Sequence, residues 1–163
     1  MAAGCLETDG DTDDTDPNTT DGRPPDEQAF ERRLSVTAVD AVPADVPVAF
    51  DARVADETVT AARTGALTVS VENTGDRQRE LPTPFYKGPS RDDALVVYST
   101  EAPDAPAQTD GPRCDEPSLE FTDEGRLKHT LAPGETGTDR LLVVAGAGTE
   151  RCLPPGQHRF EQT

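Results

Sequence analysis

The chain has no tryptophan, a single methionine, and aromatic side chains at only 4% of its 163 residues. A base-stacking surface cannot be built from so few rings, and any core has to be made from Val, Leu and Ala. Positive charge is equally scarce. Fifteen Lys and Arg stand against 32 Asp and Glu, a net charge of −17, which argues against nucleic acid as a partner. Only Lys87 and Lys128 are lysines. With Cys5 set aside, two cysteines alone make no structural zinc site, and the two histidines, His129 and His158, lack ligand-like spacing to them, so no metal or other cofactor is expected. No apolar run approaches the roughly 20 residues of a membrane-spanning helix. No segment sustains a 3.6-residue apolar period either.

Catalytic signatures are missing as well. None of Ser35, Ser70, Ser90, Ser99 and Ser118 lies in a Gly-x-Ser-x-Gly elbow. Ala145-Gly146-Ala147-Gly148 follows a strand, but Arg151 occupies the third glycine position and no helix comes after, so a hinge or bulge is the expectation. His129 is the best isolated candidate for a general base. It shares a strand face with Leu127 and Leu131, and His158 shares one with Phe160, so both read as hydrogen-bonded structural histidines. The chain is read as non-enzymatic.

What is present is a two-residue period. Val48, Phe50, Ala52 and Val54 alternate with Ala49, Asp51 and Arg53; Leu67, Val69 and Val71 alternate with Thr68, Ser70 and Glu72. Leu34, Val36 and Ala38 give a further strand. Residues 77–81 are expected to pair back across the turn Asn73-Thr74-Gly75-Asp76. Residues 93–99 read as a strand apolar on both faces, 139–145 as the most apolar strand, and 157–162 as the last. Leu119, Phe121 and Leu127 suggest short strands, and residues 30–34 suggest a helical turn. Such spacing predicts an all-β domain over residues 30–163, an immunoglobulin-like antiparallel β-sandwich of seven to nine strands.

Ahead of it, residues 6–29 are rich in Asp, Thr, Pro and Gly and nearly devoid of apolar side chains. Such a segment buries too little surface to offset its ordering entropy, so a disordered acidic tether is expected. Asp9, Asp11 and Asp13 alternate like a calcium loop, yet Asp14 and Thr20 stand where that loop needs Gly and Glu. Asn18-Thr19-Thr20 is a formal N-glycosylation sequon.

Ala2-Ala3-Gly4-Cys5, followed at once by an acidic tract, resembles the processing site of prokaryotic lipoproteins. The resemblance implies that residues 1–5 are the remnant of a signal, that Cys5 carries a lipid, and that the domain is held at the extracytoplasmic face of the cell membrane. Acid excess with scarce lysine is similar to the proteins of salt-loving archaea. At molar salt the Debye length falls to about 3 Å, and the self-repulsion of such a surface is largely screened. With Cys5 set aside, Cys114 and Cys152 remain, either as a disulfide or as two separate thiols. The exported compartment favours the bond, and closing their loop would contribute roughly 4 kcal/mol.

Three pieces resemble bacterial and archaeal sandwich domains, including the intracellular proteinase-inhibitor domain: Leu67-Thr-Val-Ser-Val-Glu-Asn-Thr-Gly75, Leu131-Ala-Pro-Gly-Glu135 and Leu153-Pro-Pro-Gly-Gln-His-Arg-Phe160. The expected function is a binding or envelope-interaction module for a protein or envelope ligand, with a proteinase inhibitor as the alternative that the likeness implies. The Pro-rich loop 82–91 is the expected contact surface, with Phe85 and Tyr86 as anchors and Lys87 and Arg91 as the nearest cations. The competing reading is that Phe85 and Tyr86 plug one end of the core.

Overall fold

The computed structural model describes residues 3–10, 30–115, 128–148 and 151–161. The described residues carry eleven strands, numbered in chain order, and one 3-10 turn at Gln108–Asp110. A four-stranded sheet runs in the order β11 (Gly156–Glu161), β1 (Ala3–Gly10), β2 (Glu31–Val39), β4 (Thr58–Thr60). A five-stranded sheet runs β3 (Val48–Asp56), β5 (Ala66–Asn73), β10 (Thr136–Ala145), β8 (Leu95–Ser99), β7 (Lys87–Pro89). β6 (Arg79–Pro82) and β9 (Lys128–Leu131) form a small pair of their own. All pairings are antiparallel.

The expected all-β architecture follows from the alternation. Leu67 and Val69 of β5 and Leu141 and Val143 of β10 point to one side and meet Leu6, Leu34, Val59 and Phe160 of the other sheet in a single apolar cluster. Two antiparallel sheets with their apolar faces together make a β-sandwich. β8 is buried on both faces because residues of the following segment close over it; Ala102 packs on Val96, Tyr98 and Val144. That segment is held by Tyr98 Oη and Lys87 Nζ, each 2.5 Å from Asp104.

Three expectations are corrected. The expected tether spans residues 6–29 with the domain boundary at residue 30, but Leu6 to Gly10 belong to β1, an interior strand paired with both β2 and β11. Leu6 is 2% exposed and Thr8 1%. One buried leucine and a satisfied threonine suffice there because two ready strand edges supply every backbone partner of the segment. Gly10 is paired to Arg32, so the acidic stretch joins two neighbouring strand ends instead of leading up to the domain. Residues 11–29, with Asn18 and most of the acidic run, lie outside the described residues.

Residues 31–34 form β2, not a helical turn, because Arg32 and Arg33 are laddered to β4 on one side and β1 on the other. Residues 79–82 pair with β9 and not with β5, whose two edges are already taken by β3 and β10. The buried Asn73 directs this: its Nδ2 donates to the carbonyls of Arg77 (2.7 Å) and Leu131 (2.9 Å), turning the chain toward β9. Leu119, Phe121 and Leu127 lie outside the described residues.

The seat of β1 is measurable. Leu6→Ala should lower unfolding free energy in urea by about 2–5 kcal/mol, as for a buried core leucine. A neutral result would mean that residues 6–10 are not part of the folded body.

Candidate functional site

β8 stops pairing with β10 at Ser99↔Leu141, and Thr100 N–H adds one last rung to the Arg140 carbonyl at 3.0 Å. Beyond that point no strand among the described residues pairs with the edge of β10, and a cleft of about 580 Å³ opens there. Its floor is Thr138, Asp139 and Arg140 of β10 with Thr68 of β5; its walls are Thr100, Glu101, Lys128 and His129.

Asp139 is in phase with Leu141 and Val143 and is therefore buried, at 6% exposure. A buried carboxylate requires a partner, and His129 supplies it, with Nε2 at 2.7 Å from Oδ2. The ring lies against Gly137, where an added Cβ would come within 2.7 Å of it. The Asp139 carboxyl accepts from Nε2–H, and Nδ1 has no hydrogen-bond partner among the described residues. The two cations of the cleft are engaged. Lys128 Nζ is 2.5 Å from Glu80, and Arg140 donates to Asp56. The Gln108 amide, 2.8 Å away, and then Arg140 hold the Asp56 carboxyl below its ordinary value. The cleft thus offers hydroxyls, one open imidazole nitrogen and charges of both signs.

His158 occupies a second, closed setting. It is 4% exposed, with Nδ1 2.8 Å from Asp92 Oδ2 and Nε2 2.8 Å from the Pro154 carbonyl. Thr8 Oγ1 donates to the same carbonyl at 2.6 Å, and Ser90 Oγ donates to Asp92 Oδ1 at 2.6 Å. Both partners of the ring, the Asp92 carboxylate and the Pro154 carbonyl, are acceptors. Burial alone would raise the Asp92 carboxyl. The Ser90 hydroxyl, His158 and the Ala94 amide together outweigh it and hold the group below the ordinary carboxylate value. Gly146 and Gly148 are clamped on this turn, with N–H groups donating to the carbonyls of Ala94 (2.9 Å) and Asp93 (2.8 Å). The expected hinge is therefore a packed junction.

Cys114 and Cys152 are disulfide-bonded, with Cα atoms 5.2 Å apart, two residues before Pro154. Cys5 is a free thiol in β1, paired to Arg159, whose Nη1 is 4.0 Å from the sulfur.

The loop 82–91, for which a contact surface and a core plug are the two expectations, packs largely inward. Phe85 is 9% exposed and packs edge-on against Phe50, ring centroids 6.0 Å apart. Tyr86 packs on the outer apolar cluster, and Lys87 lies over the Tyr98 ring at 4.6 Å while bound to Asp104. A positive φ of 54° at Phe85 turns its ring inward among the prolines. Of the four residues only Arg91 extends into solvent, 3.9 Å from Glu161.

Asp139 escaped the reading of the sequence, although an Asp in phase with Leu141, Val143 and Ala145 signals a buried carboxylate in need of a donor. Among the described residues no serine, threonine or cysteine is hydrogen-bonded to either imidazole, and no group of three His, Cys, Asp or Glu is placed to hold a metal. No family model, curated protein or solved structure matches the chain.

The Asp92 node carries a pH signature. Its folded carboxyl titrates below the unfolded value of about 3.9, so its stabilisation is present above that pH and is lost as pH falls through the folded value. Asp92→Asn should flatten the acid limb of the stability curve, leaving the parts due to Asp56 and Asp104, both also held low. An unchanged acid limb in urea titrations at successive pH values would refute the coupling.

Proposed function

We propose that this chain is an exported, lipid-anchored, immunoglobulin-like sandwich that binds a small polar ligand in the cleft beside His129 and does not transform it. The observation that carries the reading is that cleft: an open imidazole nitrogen whose partner nitrogen is fixed by a buried carboxylate, with threonine hydroxyls and paired charges around it. A ligand bearing both donors and acceptors fits such a lining. Binding is favoured over chemistry because a general base needs a nucleophile or substrate proton within reach, and no protein hydroxyl or thiol is bonded to the ring among the described residues.

Export is supported by the Cys114–Cys152 bond, since disulfides persist in oxidising compartments. Anchoring is supported by the Ala2-Ala3-Gly4-Cys5 pattern, with the Cys5 sulfur beside Arg159 on a strand whose neighbours Leu6 and Thr8 are buried. The immunoglobulin-like assignment is supported by two facing antiparallel sheets between which the chain crosses from β3 to β4 and from β10 to β11.

Amide NMR titrations with phosphate, acetate, glycine and N-acetylglucosamine test the cleft. At least one should shift residues Thr68, Thr100, His129 and Thr138 selectively, and His129→Ala should abolish the response. Uniform silence at the cleft would overturn the binding reading.

Cys5→Ser tests the anchor separately. The variant should move from the membrane fraction to the soluble one, whereas equal partitioning of variant and parent would remove the lipid from the account.

A further inference from the structure

We propose that two copies of this chain associate through β3, pairing antiparallel about a two-fold axis at Ala52 so that the two five-stranded sheets join. The proposal is independent of the His129 cleft. β3 is an edge strand of nine residues, laddered to β5 on one side only. No backbone hydrogen bond reaches residues 49–55 from the other side among the described residues. Free edges of this length are templates for another strand, and proteins blunt them with charged side chains, lysine above all, proline, bulges or shortness. β3 contains neither proline nor lysine, and its register shift comes only at Val54/Asp56.

The pattern of the strand is complementary to its own inverse. Ala49, Asp51, Arg53 and Ala55 are all exposed on one face. Turned about Ala52, Asp51 stands opposite Arg53 of the second copy, Arg53 opposite its Asp51, and each Ala49 opposite an Ala55. On the other face Phe50 meets Val54, and the two Ala52 residues meet at the axis. Phe50, Ala52 and Val54 are only half-buried in one copy although they pack on the core, so a second strand completes their burial. Val46, a large apolar side chain 40% exposed, lies in the bend two residues before the strand.

Charge also fixes the register. Sliding the pairing by two residues sets Asp51 against Asp51 or Arg53 against Arg53, and like charges directly opposite are unfavourable. The opposed charges that would repel a foreign strand thus select a second copy. With a net charge of −17 on each copy, long-range repulsion opposes association in dilute buffer. In molar salt, with a Debye length of about 3 Å, that repulsion is screened while cross-strand contacts persist.

Sedimentation equilibrium in molar KCl provides the test, with circular dichroism confirming that each variant is folded. The parent chain should sediment at twice its chain mass. D51R and R53D, each creating like-charge pairs, should raise the dissociation constant about tenfold or more, and the D51R/R53D double variant should restore the dimer. A parent that stays monomeric at all salt concentrations overturns the proposal. So does a dimer indifferent to the single substitutions, which would place the interface elsewhere, or a double variant as dissociated as the singles.

Discussion

The seat of β1 between β2 and β11 is the contact on which the four-stranded sheet depends. Among the described residues, without β1, β11 has no partner strand and β2 keeps only the three-residue β4. The same seat delivers Leu6 to the inter-sheet cluster beside Phe160 and Leu34. It also brings Thr8 to the Pro154 carbonyl, and through that carbonyl to His158, Asp92 and Ser90. One short strand therefore closes a circuit joining the two ends of the chain to the turn between β7 and β8. The disulfide at Cys152 fixes the same corner from the other side.

That circuit shows how a protein so rich in carboxylates still uses a few of them structurally. Exposed ion pairs contribute little, and most acids among the described residues lie at the surface. Asp92, Asp104 and Asp139 differ because each meets a buried or half-buried donor: His158, Tyr98 with Lys87, and His129. Each pins a segment that apolar contacts alone would hold poorly. Asp104 fixes the cover over β8, Asp92 the turn beneath Gly146, and Asp139 the small β6–β9 pair. Small apolar residues dominate the interior, so these polar fastenings specify where the irregular segments go.

Much of this was legible in the alternation of side chains. Val48 to Val54, Leu67 to Val71 and Leu141 to Val143 declare strands, and their inward members form the observed core. The cysteine pair was also legible as one of two alternatives. β1 was hidden because Cys5-Leu6-Glu7-Thr8 holds a single large apolar residue and runs straight into the acidic tract; its strand character comes from two waiting edges, a tertiary effect no local pattern displays. The loop of Phe85 and Tyr86 allowed two readings, contact surface or core plug, because no local pattern shows which way its rings turn. Proline-flanked aromatics look exposed, yet backbone turning at Phe85 delivers the ring to Phe50. The partners of the two histidines, 10 and 66 positions away in sequence, were likewise invisible to spacing.

The pairing of Gly10 with Arg32 changes what an anchor at Cys5 would mean. A tether separates two bodies only if one of its ends is free of the folded part, and both ends of residues 11–29 are fixed to adjacent strands. A lipid on Cys5 would then be joined to the sheet itself, with no spacer between the acyl chains and the folded domain. The four-stranded sheet would rest near the headgroups, where Arg159 is already neutralised by Asp40 and Glu161. The five-stranded sheet, with β3 at its edge and the His129 cleft beside β10, belongs to the opposite layer. An anchor in one layer would leave the other free for recognition, a division that a two-layer fold permits without any linker.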